Sequence, residues 1–309
     1  MTLFSLLCVL ALEQIRALPA ARVAALTDSL ADFLERHFNA GEHQHGLTAW
    51  AVGVGGPAVV VFVVHYLLGW VHPLLAFGFD VALLYLFLGF RQFSHYFTDI
   101  QLALRLGELD RARRLLAEWR GQQGDRLGSQ EIVRLSIEQG IVASHRHVFA
   151  PLFWFLALGP AGAVLYRLSL AVAERWTRHE IPQAGGAGQG GFGDFARRAF
   201  QWLDWLPARL TAITFAIVGD FEDAVYCWRS QAGQWSEAAS GILLSSGAGA
   251  LGIKLGQPLP DETGLDTRPE LGLGEDADIE HLQSAIGLVW RALVLCLLLL
   301  ALLSVASWV

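Results

Sequence analysis

Two short stretches of this 309-residue chain hold side chains suited to moving protons or gripping anions. Ser144, His145, Arg146 and His147 are consecutive, and Arg91, Gln92 and His95 stand together in FRQFSHYFTD. Imidazoles change charge near neutral pH and guanidiniums grip carboxylate or phosphate in a fork, so such groups can serve a reaction. At the rim of an apolar stretch they can equally anchor to lipid headgroups. A second set, Asp204, Arg209, Asp220, Glu222 and Asp223, surrounds LDWLPARLTA. Carboxylate oxygens suit a hard cation such as Mg²⁺, and the same residues read as a solvated acidic turn. Gly247, Gly249 and Gly252 spell G-x-G-x-x-G with Lys254 just beyond. In a βαβ unit that spacing seats a pyrophosphate on a helix N-terminus, but the parallel-sheet context is missing here. What remains is a glycine-rich turn that could hold phosphate through backbone N–H groups, with Lys254 nearby. Asp80 interrupts an apolar run, which makes it either a functional carboxylate inside a bilayer or one near the headgroups.

The elements that must position these residues are mostly greasy. Hydrophobic residues make up 54% of the chain against 17% charged, with a mean hydropathy of +0.42. A soluble domain of this size would have to expose too much of that surface to water. The net charge of −7 gives no support to a nucleic-acid partner, which needs a surplus of Lys and Arg. Cys8, Cys227 and Cys296 are far apart and form neither a disulfide framework nor a zinc spacing, so they read as small packing residues.

Residues 47–71 carry no charge and are long enough to cross ~30 Å of hydrocarbon. His72-Pro73 breaks the chain, and residues 74–90 return, giving a helical hairpin. Residues 148–173 form a third apolar stretch with Gly159-Pro160 at its middle. Proline there removes a donor and clashes with the preceding turn, which predicts two half-helices, either a kinked span or a re-entrant hairpin. Residues 205–218 are shorter and hold Pro207 and Arg209, as expected of a half-inserted segment, and residues 286–309 form a C-terminal anchor. Residues 1–12 lack a basic start and a small-residue cleavage site, so they are expected to be retained as a helix in or against the bilayer.

Between these segments, residues 19–38 place Leu26, Leu30, Phe33, Leu34 and Phe38 at helical spacing opposite Asp28, Asp32, Glu35 and Arg36, an amphipathic helix. Residues 91–147 read as a helical insert: two helices joined at Gly107 and a third starting at Ser129. Its nine arginines (Arg91, Arg105, Arg111, Arg113, Arg114, Arg120, Arg126, Arg134 and Arg146) place it in the cytoplasm. Residues 183–193 are a flexible glycine linker and 258–278 a loop, and no strand pattern stands out. The expected architecture is an all-α integral membrane protein with about four to five transmembrane or half-inserted helices and a helical cytoplasmic insert. It divides into residues 1–46, 47–90, 91–147, 148–218, 219–285 and 286–309. No paired set of broken helices repeats in a second half, which argues against a transporter.

The order of these blocks resembles the CobD/CbiB family of membrane proteins of cobalamin biosynthesis. LALRLGELDRARRLLAEWRG is similar to that family's L..GDL..AR..L....G, and residues 131–138 to its aev.R..IE. APLFWFLALGPAGAVLY, followed by Arg167, is similar to APLF…lgG.PGa..Yr. WLPARLTA and GALGIKLGQP match in order. The resemblance implies an adenosylcobinamide-phosphate synthase, which joins an amino-alcohol phosphate to a propionate of adenosylcobyric acid with ATP and Mg²⁺. Under that reading Arg91, His95, His145, Arg146, His147, Asp204 and Arg209 are the residues to test. Where those enzymes read ENxxDG, NTLDSM and DDLxNW, this chain has residues 140–146, 168–173 and 200–205, keeping only Asp204 of the last as an Asn-to-Asp equivalent. MTLFSLL and LDWLPARL look like a sister branch, AmpE, which implies a non-catalytic inner-membrane regulator linked to β-lactamase induction and cell-wall signalling. Either branch implies a multi-pass protein of the bacterial inner membrane with lipid around it. A corrinoid intermediate is the ligand of the first, and self-association or another membrane partner is left open.

Overall fold

The computed structural model describes residues 2–15, 20–38, 43–121, 126–179, 192–259 and 268–306, with side chains except at 2, 20–26, 43–44, 90–94 and 178–179. Fourteen α-helices account for nearly all of it: α1 Thr2–Ile15, α2 Ala20–Phe38, α3 His43–Trp50, α4 Gly56–Val71, α5 Pro73–Phe87, α6 Phe90–Arg105, α7 Leu109–Arg120, α8 Ser129–Ser144, α9 Ala150–Leu158, α10 Pro160–His179, α11 Phe192–Val218, α12 Phe221–Gln231, α13 Ala238–Leu251 and α14 Ile279–Ala306. They fall into two compact units, residues 1–89 with 146–206 and residues 90–145 with 207–309.

Three helical stretches are long and apolar enough to cross a membrane: His45–Val71, Ser129–Leu158 and Ile279–Ala306. Only 17% of the first and 22% of the last is buried. Val59, Val60, Phe62, Trp70, Leu298, Leu299, Leu302 and Leu303 all face outward. Continuous apolar faces of that extent are stable only against lipid or another apolar surface. The middle stretch is 56% buried and so is largely covered by protein.

In the first unit, local chemistry sets the breaks. His72 is extended, its ring accepts from the Leu74 N–H at 3.2 Å, and Pro73 opens α5 as its first residue. Gly159 sits at φ +67°, open to glycine at little cost, and Pro160 starts α10. The two halves are thus 9 and 20 residues long rather than equal. Helix α10 packs against α2, α4, α5 and α9. Trp176 lies fully buried with Leu34, Val164, Leu168, Val172 and Phe192, and its indole donates to Ala31 O at 3.1 Å. Burying such a side chain is worth about 1.5–3 kcal/mol relative to water. The amphipathic α2 contributes Leu30, Leu34 and Phe38 to this cluster. Phe33 is exposed, stacked on His37 with ring centres 4.1 Å apart. Asp32 on its polar side takes a two-pronged bond from Arg175, at 2.7 and 3.0 Å.

In the second unit Gly107, at φ +75°, turns α6 into α7, as its position between two amphipathic runs predicts. Helix α8 packs on α6, α7, α13 and α14 and buries nearly every face. The helix beginning at Ser129 does not stop at the end of the arginine-rich segment: a π-helical turn, His145–Phe149, carries it directly into α9. Residues 205–218, expected as a separate short segment, are the second half of the 27-residue α11, with Pro207 inside it. Small residues let α13 lie close on α12, for an added Cβ at Gly249 would fall 2.5 Å from Asp223 O.

The fold is all-α as expected, with one small three-stranded sheet added. β1 Ile253–Gly256 sits between β2 Glu270–Leu271, antiparallel with Leu255 opposite Leu271, and β3 Glu275–Asp276, parallel with Ile253 opposite Glu275. Strands of four and two residues are too short to show an alternating pattern.

Candidate functional site

The consecutive His145, Arg146 and His147 occupy the π-helical turn, a local widening that re-aims side chains and recurs at functional sites. Consecutive residues on a helix point in different directions, and these three do so. His145 is buried with its Nδ1 2.9 Å from Thr211 Oγ1. Arg146 pairs with Glu174 at 3.1 Å. His147 Nδ1 lies 2.5 Å from Arg167 Nη1. A guanidinium can only donate, so that nitrogen of His147 is the acceptor and its proton sits on Nε2. Arg167 also reaches the Arg146 carbonyl at 3.5 Å.

Immediately before Arg167, Tyr166 donates its hydroxyl to Asp204 Oδ1 at 2.7 Å, with both residues buried. Phe200 packs on the Tyr166 ring with centroids 5.5 Å apart, and Trp154 donates to Leu203 O at 3.2 Å, tying α11 to α9. Within the first unit, Arg146, His147, Tyr166, Arg167 and Asp204 therefore form one buried or half-buried polar group, with the exposed Glu174 at its edge. It can orient an anionic or hydrogen-bonding ligand, with His147 Nε2–H as a donor.

A second feature of this unit pairs Asp80, singled out by the sequence, with a partner that sequence reasoning missed. Asp80 is buried, and His65 on α4 approaches its carboxylate to 2.8 Å. They line a pocket of about 410 Å³ with Ala76, Phe155, Gly159 and Pro160. The break at Gly159-Pro160 thus opens beside the carboxylate. The signal available was His65 itself, an ionisable residue in an otherwise uncharged span.

The other predicted residues scatter. Arg91 and Gln92 have side chains outside the described residues, and His95 lies exposed on α6 in the second unit. Arg209 is half-exposed on α11. Asp220 caps α12, accepting from Asp223 N at 3.1 Å, which makes the acidic group the turn that starts this helix. Among the described residues no three His, Cys, Asp or Glu side chains come together as a metal cage, so these carboxylates do not fit a protein-held Mg²⁺. Gly247 and Gly249 lie inside α13, and an added Cβ at Gly247 would fall 2.8 Å from Ile141 Cδ1. Gly252 caps that helix in the left-handed conformation at φ +66°, and Lys254 on β1 pairs with Glu270 at 3.4 Å. The literal G-x-G-x-x-G thus ends a helix where a dinucleotide site would start one, and its glycines serve close packing.

Two blocks far apart in sequence meet in the second unit. Glu138, from VRLSIE, accepts from the backbone N–H of Gly256, in GIKLGQP, at 2.8 Å. The same blocks carry a family signature. A family model described as CobD/Cbib protein matches residues 6–289. The chain belongs to the CobD/CbiB family. The cobalamin biosynthesis protein CobD of Stutzerimonas stutzeri is 35% identical over 281 residues, covering 88% of this chain and 87% of the relative. That of Chromobacterium violaceum is 35% identical over 72% of this chain and 69% of its own length. The cobalamin biosynthesis protein CbiB of Salmonella typhimurium is 26% identical over 82% and 80%. No solved structure matches the chain. With three helices able to span a bilayer, this CobD/CbiB member is a membrane protein of the cobalamin biosynthesis type.

Proposed function

We propose that this CobD/CbiB member is an adenosylcobinamide-phosphate synthase, forming the amide bond between an amino-alcohol phosphate and a propionate of adenosylcobyric acid. The observation that carries the reading is similarity to relatives named cobalamin biosynthesis protein CobD across 88% of the chain. A carboxylate becomes an acyl donor only after activation. The family resemblance supplies ATP with Mg²⁺ for that role, and their chemistry is phosphoryl transfer to the propionate oxygen. The chain's own part is to hold charge and hydrogen bonds in place: Arg146 and Arg167 against anionic groups, His147 as a neutral hydrogen-bond donor, Tyr166 with Asp204 as a fixed hydrogen-bonding pair. The decisive experiment is growth rescue of a strain lacking the synthase, with an in vitro assay using adenosylcobyric acid and aminopropanol phosphate. No rescue together with no product from well-folded protein rejects the reading.

One observation favours a second reading, an AmpE-like non-catalytic regulator of β-lactamase induction. Residues 140–146, where the synthases carry ENxxDG, are packed apolar helix and π turn, and Gly140 lies so close to the Phe97 ring that no side chain fits. Rescue by this chain would exclude it, whereas altered β-lactamase induction on deletion without corrinoid auxotrophy would establish it.

We place the protein in the bacterial inner membrane as a multi-pass chain, with the arginine-rich residues 105–120 facing the cytoplasm. Single cysteines at Arg111 and Arg114 in a cysteine-free protein should resist a membrane-impermeant maleimide in intact cells. Rapid labelling there would reverse the orientation.

A further inference from the structure

Helix α8 is buried on almost every face, yet it carries Arg134 and Glu138 one turn apart. Both oxygens of Glu138 are occupied. One accepts from Gly256 N at 2.8 Å, the other takes the Arg268 guanidinium. Arg134 spends one amino group on Gln257 Oε1. Gln257 stands at φ +64°, a conformation a non-glycine residue adopts only when its surroundings hold it there. Its side-chain nitrogen donates to Glu270 at 3.1 Å, which fixes the amide so that its oxygen faces Arg134.

Arg134 is only 6% exposed, and its Nε and other amino nitrogen are buried with no acceptor, as is Nη1 of Arg268. Arg268 lies over the Trp235 ring, 4.9 Å from its centre, which holds its plane in place. Glu131 and Asp276 also act on Arg134 at longer range, but the Glu131 carboxylate is committed to Gly128 N, and Asp276 is exposed on β3. Two guanidiniums thus share one fully used carboxylate. Buried donors without acceptors are rare in folded proteins, and a surplus of buried positive charge is costlier still. An anion with several acceptor oxygens would resolve both.

We propose that Arg134 and Arg268 form a binding site for the phosphate group of a soluble phosphomonoester. A doubly charged tetrahedral phosphate offers the acceptors that the three buried nitrogens lack and offsets the surplus charge, with Arg forks suited to its geometry. The Gly256-Gln257 turn and Glu138 position the arginines without touching the ligand. The site does not depend on the ligase reading, since a regulator that senses a phosphorylated metabolite would use it equally.

The test uses the full chain in detergent and inorganic phosphate as probe. Phenylglyoxal modification is mapped by mass spectrometry with and without phosphate, and phosphate binding is measured by calorimetry for the wild type, Arg134→Gln and, as control, Arg111→Gln. Phosphate should protect Arg134 and Arg268 selectively, and Arg134→Gln should weaken binding at least tenfold while Arg111→Gln leaves it unchanged. Protection is read on the wild-type protein, so it stands even if the variant fails to fold. Absence of protection at Arg134 and Arg268, or equal affinity in folded Arg134→Gln, overturns the site. Protection by phosphatidic acid micelles but not by inorganic phosphate overturns the soluble ligand in favour of a lipid headgroup. In all arms the corrinoid assay is run in parallel, so loss of ligase activity with intact phosphate binding counts against the ligase reading alone.

Discussion

Tyr166 and Asp204 are joined by a 2.7 Å hydrogen bond between the last polar atom of a buried ring and a buried carboxylate, linking α10 to α11 within the first unit. Removing the hydroxyl takes one donor from a buried carboxylate, which costs about 1–3 kcal/mol. Tyr166→Phe should therefore lower the midpoint of unfolding in a denaturing-detergent titration, while Asp204→Asn, which still accepts, should cost less. Equal stability of Tyr166→Phe and wild type would mean that the pair is not formed. In the rescue assay Tyr166→Phe should weaken growth without abolishing it, because the residue positions Asp204.

The His65–Asp80 contact gives a second expectation. Both groups sit on helices of the apolar hairpin, where an unpaired carboxylate is costly. In a double-mutant cycle with His65→Gln and Asp80→Asn, the coupling should come out at about 0.5–2 kcal/mol. Strictly additive losses would show that each residue acts alone. The 410 Å³ pocket beside them should stay open in both single variants.

How far the sequence could carry these conclusions depends on what each feature rests on. Breaks were legible wherever backbone chemistry fixes them, as at His72-Pro73, Gly107 and Gly159-Pro160, because Pro and Gly restrict the chain locally. The apolar helices were legible from composition. The division of the polar group was not. His145, Arg146 and His147 looked like one cluster, but on a helix consecutive side chains point apart, and their separate partners Thr211, Glu174 and Arg167 come from distant parts of the chain. Glu138 and Gly256 are likewise 118 residues apart, and only folding shows that two motif blocks share a hydrogen bond. His65 could have been suspected as a partner for Asp80, since two ionisable residues on either side of a tight break face each other across a hairpin.

The start of α14 predicts a pH response. Asp278 is pushed up by partial burial, but bonds from the N–H groups of His281 and Glu280 and the His281 imidazole outweigh this and hold its carboxyl below the usual value of about 3.9. A depressed value in the fold means the unfolded chain takes up the proton first as pH falls. The stability this cap supplies is therefore full above about pH 4 and fades as the pH drops through the folded value. Asp278→Asn, which still caps the helix, should make unfolding less sensitive to acid below pH ~4. If variant and wild type lose stability in parallel over that range, the cap does not carry the effect.

Cys227 offers a direct reading of burial. It is fully buried on α12, and desolvation, with Asp223 nearby, pushes its thiol up from 9.0 to about 11. Only the thiolate reacts with alkylating reagents, so this shift alone cuts the reactive fraction at pH 8 roughly 100-fold, and steric exclusion adds to it. Cys8 is exposed on α1. In proteins retaining a single cysteine each, Cys8 should alkylate within the ordinary time of a free thiol while Cys227 stays unmodified until the chain is unfolded in denaturing detergent. Comparable native rates at the two positions would show that α12 opens readily and that its packing against α13 is far weaker than the close approach at Gly249 implies.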